Sequence, residues 1–353
     1  MSRFLSRHGA KLEPYVPGEQ PVERRYIKLN TNECPYPPAP GVARLLAEQK
    51  AREFSLYPDP EAKALRQAIA ERYGLRSDEV FVGNGSDEVL AFIHMAFFDP
   101  GDPVYFPDPS YGFYGVYAKL FNLNPYPIPL AEDFTLTVED YLGVDGHILI
   151  ANPNAPTGLA LRREQVERIV QSNPDCLVII DEAYVDFAGD GVTSLPLLDR
   201  FDNLMVVGTF SKSRSLAGLR LGYAFSRREH IAALERMKYS FHPYNVNRFT
   251  QQAAAIAVRD ESHLRQVVGR ITATRERCYR RLQELGCKVL PSSTNFLFVS
   301  HPVLKGREFY EKLREKGILV RCFDHPRTLD YIRVSIGTDE DMDAFLGAVE
   351  ETL

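Results

Sequence analysis

The 353-residue sequence predicts an α/β core with a largely parallel, buried sheet, followed by an α+β part. Three observations carry that expectation. Between residues 79 and 225, short apolar runs alternate with polar clusters and helix-like segments, the pattern of βα units. Those runs are almost continuously apolar, as strands buried on both faces are. Around Asn247 the alternation gives way to long amphipathic helices. With 44% apolar and 25% charged residues, the composition is that of a globular chain with a sizeable core. At roughly 150 residues per domain, its length suggests two domains.

The elements follow in order. The first thirty residues are polar and proline-punctuated and read as an irregular arm. LNTNECPYPPAP, next, has too much proline and asparagine for a helix or a central strand. Residues 61–73 place Ala64, Leu65, Ala68 and Ile69 on one helical face. Glu79–Val82 leads into GNGSDE and a helix around Glu88–Phe98, and Val104–Phe106 leads into PDPSYGFY. His147–Ala151 precedes NPNAPTG and a charged helix around Arg163–Ser172. Leu177–Ile180 precedes DEAYVDF, Leu204–Gly208 precedes TFSKSRSLAGLR, and Leu221–Phe225 follows. Helices are expected over about 228–240 and 248–284, then a strand pair in CKVLPSSTNFLFVS. The charged helix GREFYEKLREKG, the runs ILVRCF and YIRVSIG, and a last helix from Asp339 complete the chain.

Charge and cysteine usage exclude several functions. Lys and Arg number 42 against 47 Asp and Glu, a net charge of −5, and there is no basic block. Such a chain is a poor partner for nucleic acid or an anionic membrane. No stretch reaches the roughly 18 apolar residues of a membrane-spanning helix, and MSRFLSRHGAKLEP lacks an apolar leader core. A cytoplasmic enzyme or binding protein is expected. Five scattered cysteines (34, 176, 278, 287 and 322) form no CxxC pair, and the eight histidines show no paired ligand spacing. Reduced, packed thiols and no metal site are the expectation.

In open α/β sheets, ligands sit beyond the carboxyl ends of the strands. Lys212 follows an apolar strand between two serines, where a concave, partly dry site would make it an amine nucleophile. Alone this is weak, since most such lysines are solvated. Asp181 directly follows CLVII, and a carboxylate at a strand end is costly unless a cation pairs with it. A helix N-cap or a salt bridge would serve equally. A protonated pyridine nitrogen is another partner, and lysine plus carboxylate is the minimal pyridoxal-phosphate pair. Gly83, Gly85 and Ser86 form a small-residue turn between strand and helix where backbone N–H groups could meet a phosphate, or an ordinary connection. Arg220, eight residues after Lys212, could join Ser211 in charge-assisted bonds to the same group.

Taken together, SKSRSLAGLRLGY, DEAYVDF, NPNAPTG and GNGSDE resemble fold-type-I pyridoxal-phosphate aminotransferases. More narrowly, PYVPGEQ, LNTNECPYPP, SLYPDP and the arginines of ILVRCF and YIRVSIGT resemble the histidinol-phosphate aminotransferases across essentially the whole chain. The resemblance implies a three-layer α/β/α large domain with a mostly parallel mixed sheet over 31–246. It also implies an arm, 1–30, joining a smaller α+β domain, 247–353. It implies pyridoxal 5'-phosphate as cofactor, with Lys212 bonding the aldehyde and moving the substrate proton. Asp181 would hold the ring nitrogen protonated, Tyr184 would bond the ring hydroxyl, and Tyr111 would stack on the ring. Ser86, Asp87, Thr209, Ser211 and Arg220 would cup the phosphate, and Tyr57 would reach a partner's phosphate in a homodimer with shared active sites.

For substrates, the resemblance implies that Arg333 grips glutamate's carboxylate and the phosphate of the amino-alcohol substrate, with Arg321 as second donor. Tyr15 and Asn32 would close over the substrate. Read without the resemblance, the arginines are surface ion pairs and the tyrosines core packing. The chain departs from the family pattern at Ala155, where an asparagine contacting the ring hydroxyl is expected. Asn154 is the candidate to replace it, with Asn152 as alternative, unless Tyr184 makes that contact alone. Cys34 is a second, neutral departure. The implied reaction is transamination between histidinol phosphate and 2-oxoglutarate, in histidine biosynthesis. Rival readings are an aromatic amino-acid aminotransferase, a threonine-phosphate decarboxylase and a non-catalytic cofactor-binding module.

Overall fold

The apolar runs of the sequence become strands of one sheet buried on both faces. The computed structural model describes residues 2–21 and 23–353. In chain order, the elements begin with β1 (Ile27–Lys28), α1 (Pro40–Glu48), α2 (Lys63–Tyr73), β2 (Val80–Gly83), α3 (Ser86–Phe97) and β3 (Pro103–Asp108). Then come α4 (Phe113–Leu120), β4 (Asn124–Pro129), β5 (His147–Ala151), α5 (Arg163–Ser172), β6 (Val178–Asp181), β7 (Leu204–Thr209) and β8 (Gly222–Phe225). The rest is α6 (Arg228–Phe241), α7 (Arg248–Arg259), α8 (Glu261–Glu284), β9 (Lys288–Val289), β10 (Phe296–Ser300) and α9 (Gly306–Glu315). Strands β11 (Ile318–Leu319), β12 (Arg321–Cys322) and β13 (Tyr331–Ser335) and helix α10 (Asp339–Glu350) end the chain.

Seven strands form a mixed sheet in the order β2-β8-β7-β6-β5-β3-β4, parallel except for β8. Strand pleat sends alternate residues to opposite faces. Val178 and Ile180 therefore join a core that includes residues of α2, α5 and α7, while Ile179 joins one that includes residues of α3, α4 and α6. That is the three-layer arrangement. The proline-rich strand β4 was not expected from the sequence, but it lies at the sheet edge and pairs with β3 alone, where missing N–H groups are tolerated. Helix α1 starts on Pro40, whose fixed φ and absent N–H suit a first helical position.

A second core lies under the antiparallel sheet β12-β13-β10-β9, where Phe296 and Ile332 pack with Ile271 of α8, Phe309 of α9 and Phe345 of α10. The arm joins this part: β1 pairs in parallel with β11, and Leu29 is in the same core. One helix was expected over 248–284, but the chain breaks at Asp260, whose carboxylate accepts from the His263 N–H and caps α8. The preceding α7 buries Ala253, Ala254 and Val258 in the core of the large sheet. The expected boundary at 247 thus falls inside the first core, and the two cores part near Asp260. ILVRCF also divides at Val320, giving β11 to the arm's strand pair and β12 to the second sheet.

Candidate active site

Parallel strands bring their carboxyl ends to one edge of the large sheet. Gly83, Asp108, Ala151, Asp181 and Thr209 are the last residues of β2, β3, β5, β6 and β7. The β7–β8 hairpin then returns the chain: Thr209 pairs with Gly222, so Arg220 comes back beside Ser211. Arg220 has φ 52°, a left-handed turn that aims it at the start of α3. An inner pocket lined by Ser86, Asp87, Tyr111, Ala155, Asp181, Tyr184, Ser211, Lys212 and Arg220 results. It continues into an outer cavity of about 530 Å³ between the two cores, lined also by Tyr15, Asn32, Asp108, His325, Arg321 and Arg333.

Asp181 is buried at the floor of the inner pocket, 5% exposed. Its oxygens accept from the Ala183 N–H and the Tyr114 hydroxyl, both at 3.2 Å. Burial pushes its pKa up to about 6, against the lowering effect of those two bonds. Lys212 Nζ lies 3.5 Å from the Thr31 carbonyl and 5.7 Å from the Tyr184 ring centroid. The Tyr184 hydroxyl accepts from Asn32 Nδ2 at 2.9 Å, which leaves its own hydrogen for a pocket group. Tyr111 donates to Asp87 Oδ1 at 2.8 Å, and burial beside that carboxylate raises its phenol pKa.

The phosphate side is built from backbone and small residues. The first-turn N–H groups of α3, including those of Ser86 and Asp87, have no intrahelical acceptor and carry the positive end of the helix dipole. Gly85 and Gly222 keep the space open: a Cβ on Gly85 would lie 2.5 Å from Arg220 Nη2, and one on Gly222 2.2 Å from the Ser86 nitrogen. Arg220 Nη2 pairs with Asp87 Oδ2 at 3.1 Å. The Ser211 hydroxyl is buried without a hydrogen-bond partner among the described residues. Thr209 lines the same pocket, its hydroxyl donating to the Leu221 carbonyl and accepting from the Ser211 N–H.

In the outer cavity, antiparallel pairing sets Arg321 opposite Arg333 on β12 and β13. Arg321 donates to the Val16 and Pro17 carbonyls of the arm, and Arg333 Nη2 to the Asn30 carbonyl. Arg333 Nε is buried without a partner, and burial lowers the guanidinium pKa. Among the described residues, no carboxylate lies within ion-pair distance of Lys212, Arg321 or Arg333. Three cations in one cavity, none of them in an ion pair, make a receptor for anions. Tyr15 stands over the entrance on Phe113, ring centroids 4.5 Å apart.

Two expectations are corrected. Asn154 lies outside the inner pocket: its amide donates to the Pro109 carbonyl and Thr157, and its oxygen accepts from Ser110. Asn152 is likewise bound to the Leu161 backbone, so Ala155 lines the pocket with no asparagine in place of its missing amide. Asn32 lines the outer cavity, is 2% exposed and is tied to Tyr184 and Ser335, so it also supports Tyr184. Tyr57 stands apart from this site, 77% exposed and stacked on Tyr244. All five cysteines are free, and burial raises the Cys34 thiol pKa, which keeps it an unreactive thiol. The sequence reading missed Tyr114, Asp108 and His325. Tyr114 falls inside a helix that was not anticipated, and nothing in sequence spacing brings position 325 to position 108.

Comparison with known proteins bears on this geometry. The family model for class I and II aminotransferases matches residues 24–349. The chain is 49% identical over 350 residues to the histidinol-phosphate aminotransferase of Brachyspira hyodysenteriae, covering 99% of both chains. It is equally similar, with the same coverage, to that of Chromohalobacter salexigens. Among solved structures, the histidinol-phosphate aminotransferase of Sinorhizobium meliloti, in complex with pyridoxal-5'-phosphate, superposes with TM-score 0.85 at 27% identity. That match covers 93% of this chain and 91% of the other. With a cation-lined cavity at the strand ends and full-length similarity of this order, the chain belongs to the class I and II aminotransferases and, within them, to the histidinol-phosphate aminotransferase family.

Proposed function

We propose that this aminotransferase transfers the amino group between histidinol phosphate and 2-oxoglutarate, using pyridoxal 5'-phosphate. The observation that carries the reading is the unpaired set Lys212, Arg321 and Arg333 converging on a cavity whose floor is the buried Asp181. The residues fit the cofactor. The orphaned Ser211 hydroxyl, the Gly85 and Gly222 clearances and the α3 N-terminus suit its phosphate. A buried carboxylate with a raised pKa suits a cationic ring nitrogen, which would draw that pKa back down.

Pyridoxal phosphate, when bound, supplies an aldehyde and an electron-withdrawing ring that make the substrate Cα–H acidic. Asp181, kept aimed by Tyr114 and the Ala183 N–H, would hold the proton at the ring nitrogen. Tyr184, oriented by Asn32, would donate to the ring hydroxyl, and Tyr111 would cover the ring. Lys212 Nζ takes the proton from the substrate Cα as general base and returns it as general acid. Arg333 and Arg321 bind the anionic ends of both substrates, since a guanidinium fork accepts a carboxylate or a phosphate in the same geometry.

A second copy of the chain belongs to the same reading. Phe54, Leu56 and Tyr57 are exposed apolar residues that line one surface cleft with Arg248 and Phe249. A homodimer would bury it and offer Tyr57 to the partner's phosphate site. The functional test is steady-state turnover of holoenzyme. Histidinol phosphate with 2-oxoglutarate should give a far higher kcat/KM than phenylalanine, and threonine phosphate should release no carbon dioxide. A preference for phenylalanine, or carbon dioxide release, would replace this reading with a rival.

A further inference from the structure

The cavity must accept two substrates that share an anion and differ at the other end, one carrying an imidazole and the other a carboxylate. Lys212, Arg220, Arg321 and Arg333 account for the anions. Asp108 has the opposite charge and no role in that account. It ends β3 and lines the outer cavity with Ser110 and Tyr111. Its Oδ2 accepts from His325 Nε2 at 3.2 Å, a contact from one lobe to the other.

His325 is fixed in the tautomer this needs. Its Nδ1 accepts from the Arg327 N–H at 3.4 Å, capping the turn Pro326–Thr328, so the hydrogen resides on Nε2 and points to Asp108. Neither Arg321 nor Arg333 pairs with Asp108, and Asp108 Oδ1 has no hydrogen bond among the described residues. The cavity therefore holds, at the end of β3, an oriented carboxylate oxygen with no donor among the described residues.

We propose that Asp108, held by His325, accepts the imidazole N–H of the amino-alcohol phosphate and sets the preference for an imidazole over a benzyl side chain. The proposal rests on the functional reading above. Imidazole presents an N–H whether neutral or charged, so the contact persists through neutral pH. A phenyl ring offers none, and would leave Asp108 Oδ1 covered without a donor, which is how a polar site rejects an apolar analogue. His325 acts through Asp108 and is a positioning residue.

The experiment compares holoenzyme turnover of histidinol phosphate with that of phenylalaninol phosphate, the analogue with phenyl in place of imidazole. Asp108→Ala should lower the ratio of the two kcat/KM values about tenfold, chiefly through a higher KM for histidinol phosphate. Asp108→Asn, which keeps a neutral acceptor in the same shape, should give a smaller drop. His325→Ala should follow Asp108→Asn in direction, and His325→Gln, which restores a donor, should recover the ratio. An unchanged ratio in Asp108→Ala, or equal loss on both phosphates, would overturn the assignment while leaving the functional reading intact. A wild-type enzyme that turns over glutamate but not histidinol phosphate would instead overturn the functional reading, and this assignment with it.

Discussion

Asp181 carries an opposed pair of consequences for stability and activity that can be separated by pH. In the cofactor-free protein its pKa is raised from 3.8 to about 6 by burial. The folded state then binds more protons than the unfolded one between those values, so stability falls as pH rises through that window. A shift of about 2.2 units at about 1.36 kcal/mol per unit gives a full penalty of about 3 kcal/mol, complete above about pH 6. Asp181→Asn removes the titration and keeps an acceptor for the Ala183 N–H, while its amide nitrogen donates to the Tyr114 oxygen. Its stability relative to wild type should therefore climb by about 2 kcal/mol between about pH 4.5 and about pH 7.5. The neighbouring Glu182, which burial pushes up to about 7, is present in both proteins and cancels in the difference. Urea denaturation of both cofactor-free proteins, at equal protomer concentration across that range, measures the effect. A difference that does not change with pH would refute the reasoning. The same variant should lose transamination, since a neutral amide cannot hold the ring nitrogen's proton.

Four other outcomes follow from the structure. Lys212→Ala should lower turnover by about 10⁴-fold or more and abolish covalent retention of cofactor after borohydride treatment, read by intact mass. Arg333→Lys keeps the charge but loses the fork, and should raise KM for glutamate and histidinol phosphate together by about tenfold or more in initial-rate assays. Arg321→Ala should penalise the phosphate substrate more than glutamate in the same assays. Phe54→Asp places a charge in the exposed apolar patch, and should shift the protein toward monomer in sedimentation velocity and lower activity in parallel.

Much of the site was legible because its chemistry is local to strand ends. Asp181 had to lie at a carboxyl end since five apolar residues precede it, and β6 ends on it. Ser211 and Arg220 meet because the chain between them closes a hairpin, a short-range event. What spacing could not convey is which partners a polar side chain finds from distant elements. Asn154 is adjacent to the pocket in sequence, yet Pro109, Ser110 and Thr157 take up its amide. Asn32 looks like a free loop residue until Ser335 and Tyr184 take its two ends. The long helix over 248–284 was misjudged because amphipathic spacing continues through Asp260, while the N-cap that divides it is one side-chain bond.

The α/β class, the order of the strand ends, and the positions of Asp181 at one strand end and Lys212 just beyond another were legible along the chain. Those depend on hydrophobic period and nearest neighbours along the chain. That Arg321 and Arg333 face one another with no ion-pair partner among the described residues came from the fold alone. The same holds for α7, which belongs to the large core, and for His325, which meets Asp108 across the two lobes. Each of these depends on contacts between residues far apart in the chain. Pairing of polar groups inside a fold is set by where packing leaves them, which no local pattern encodes.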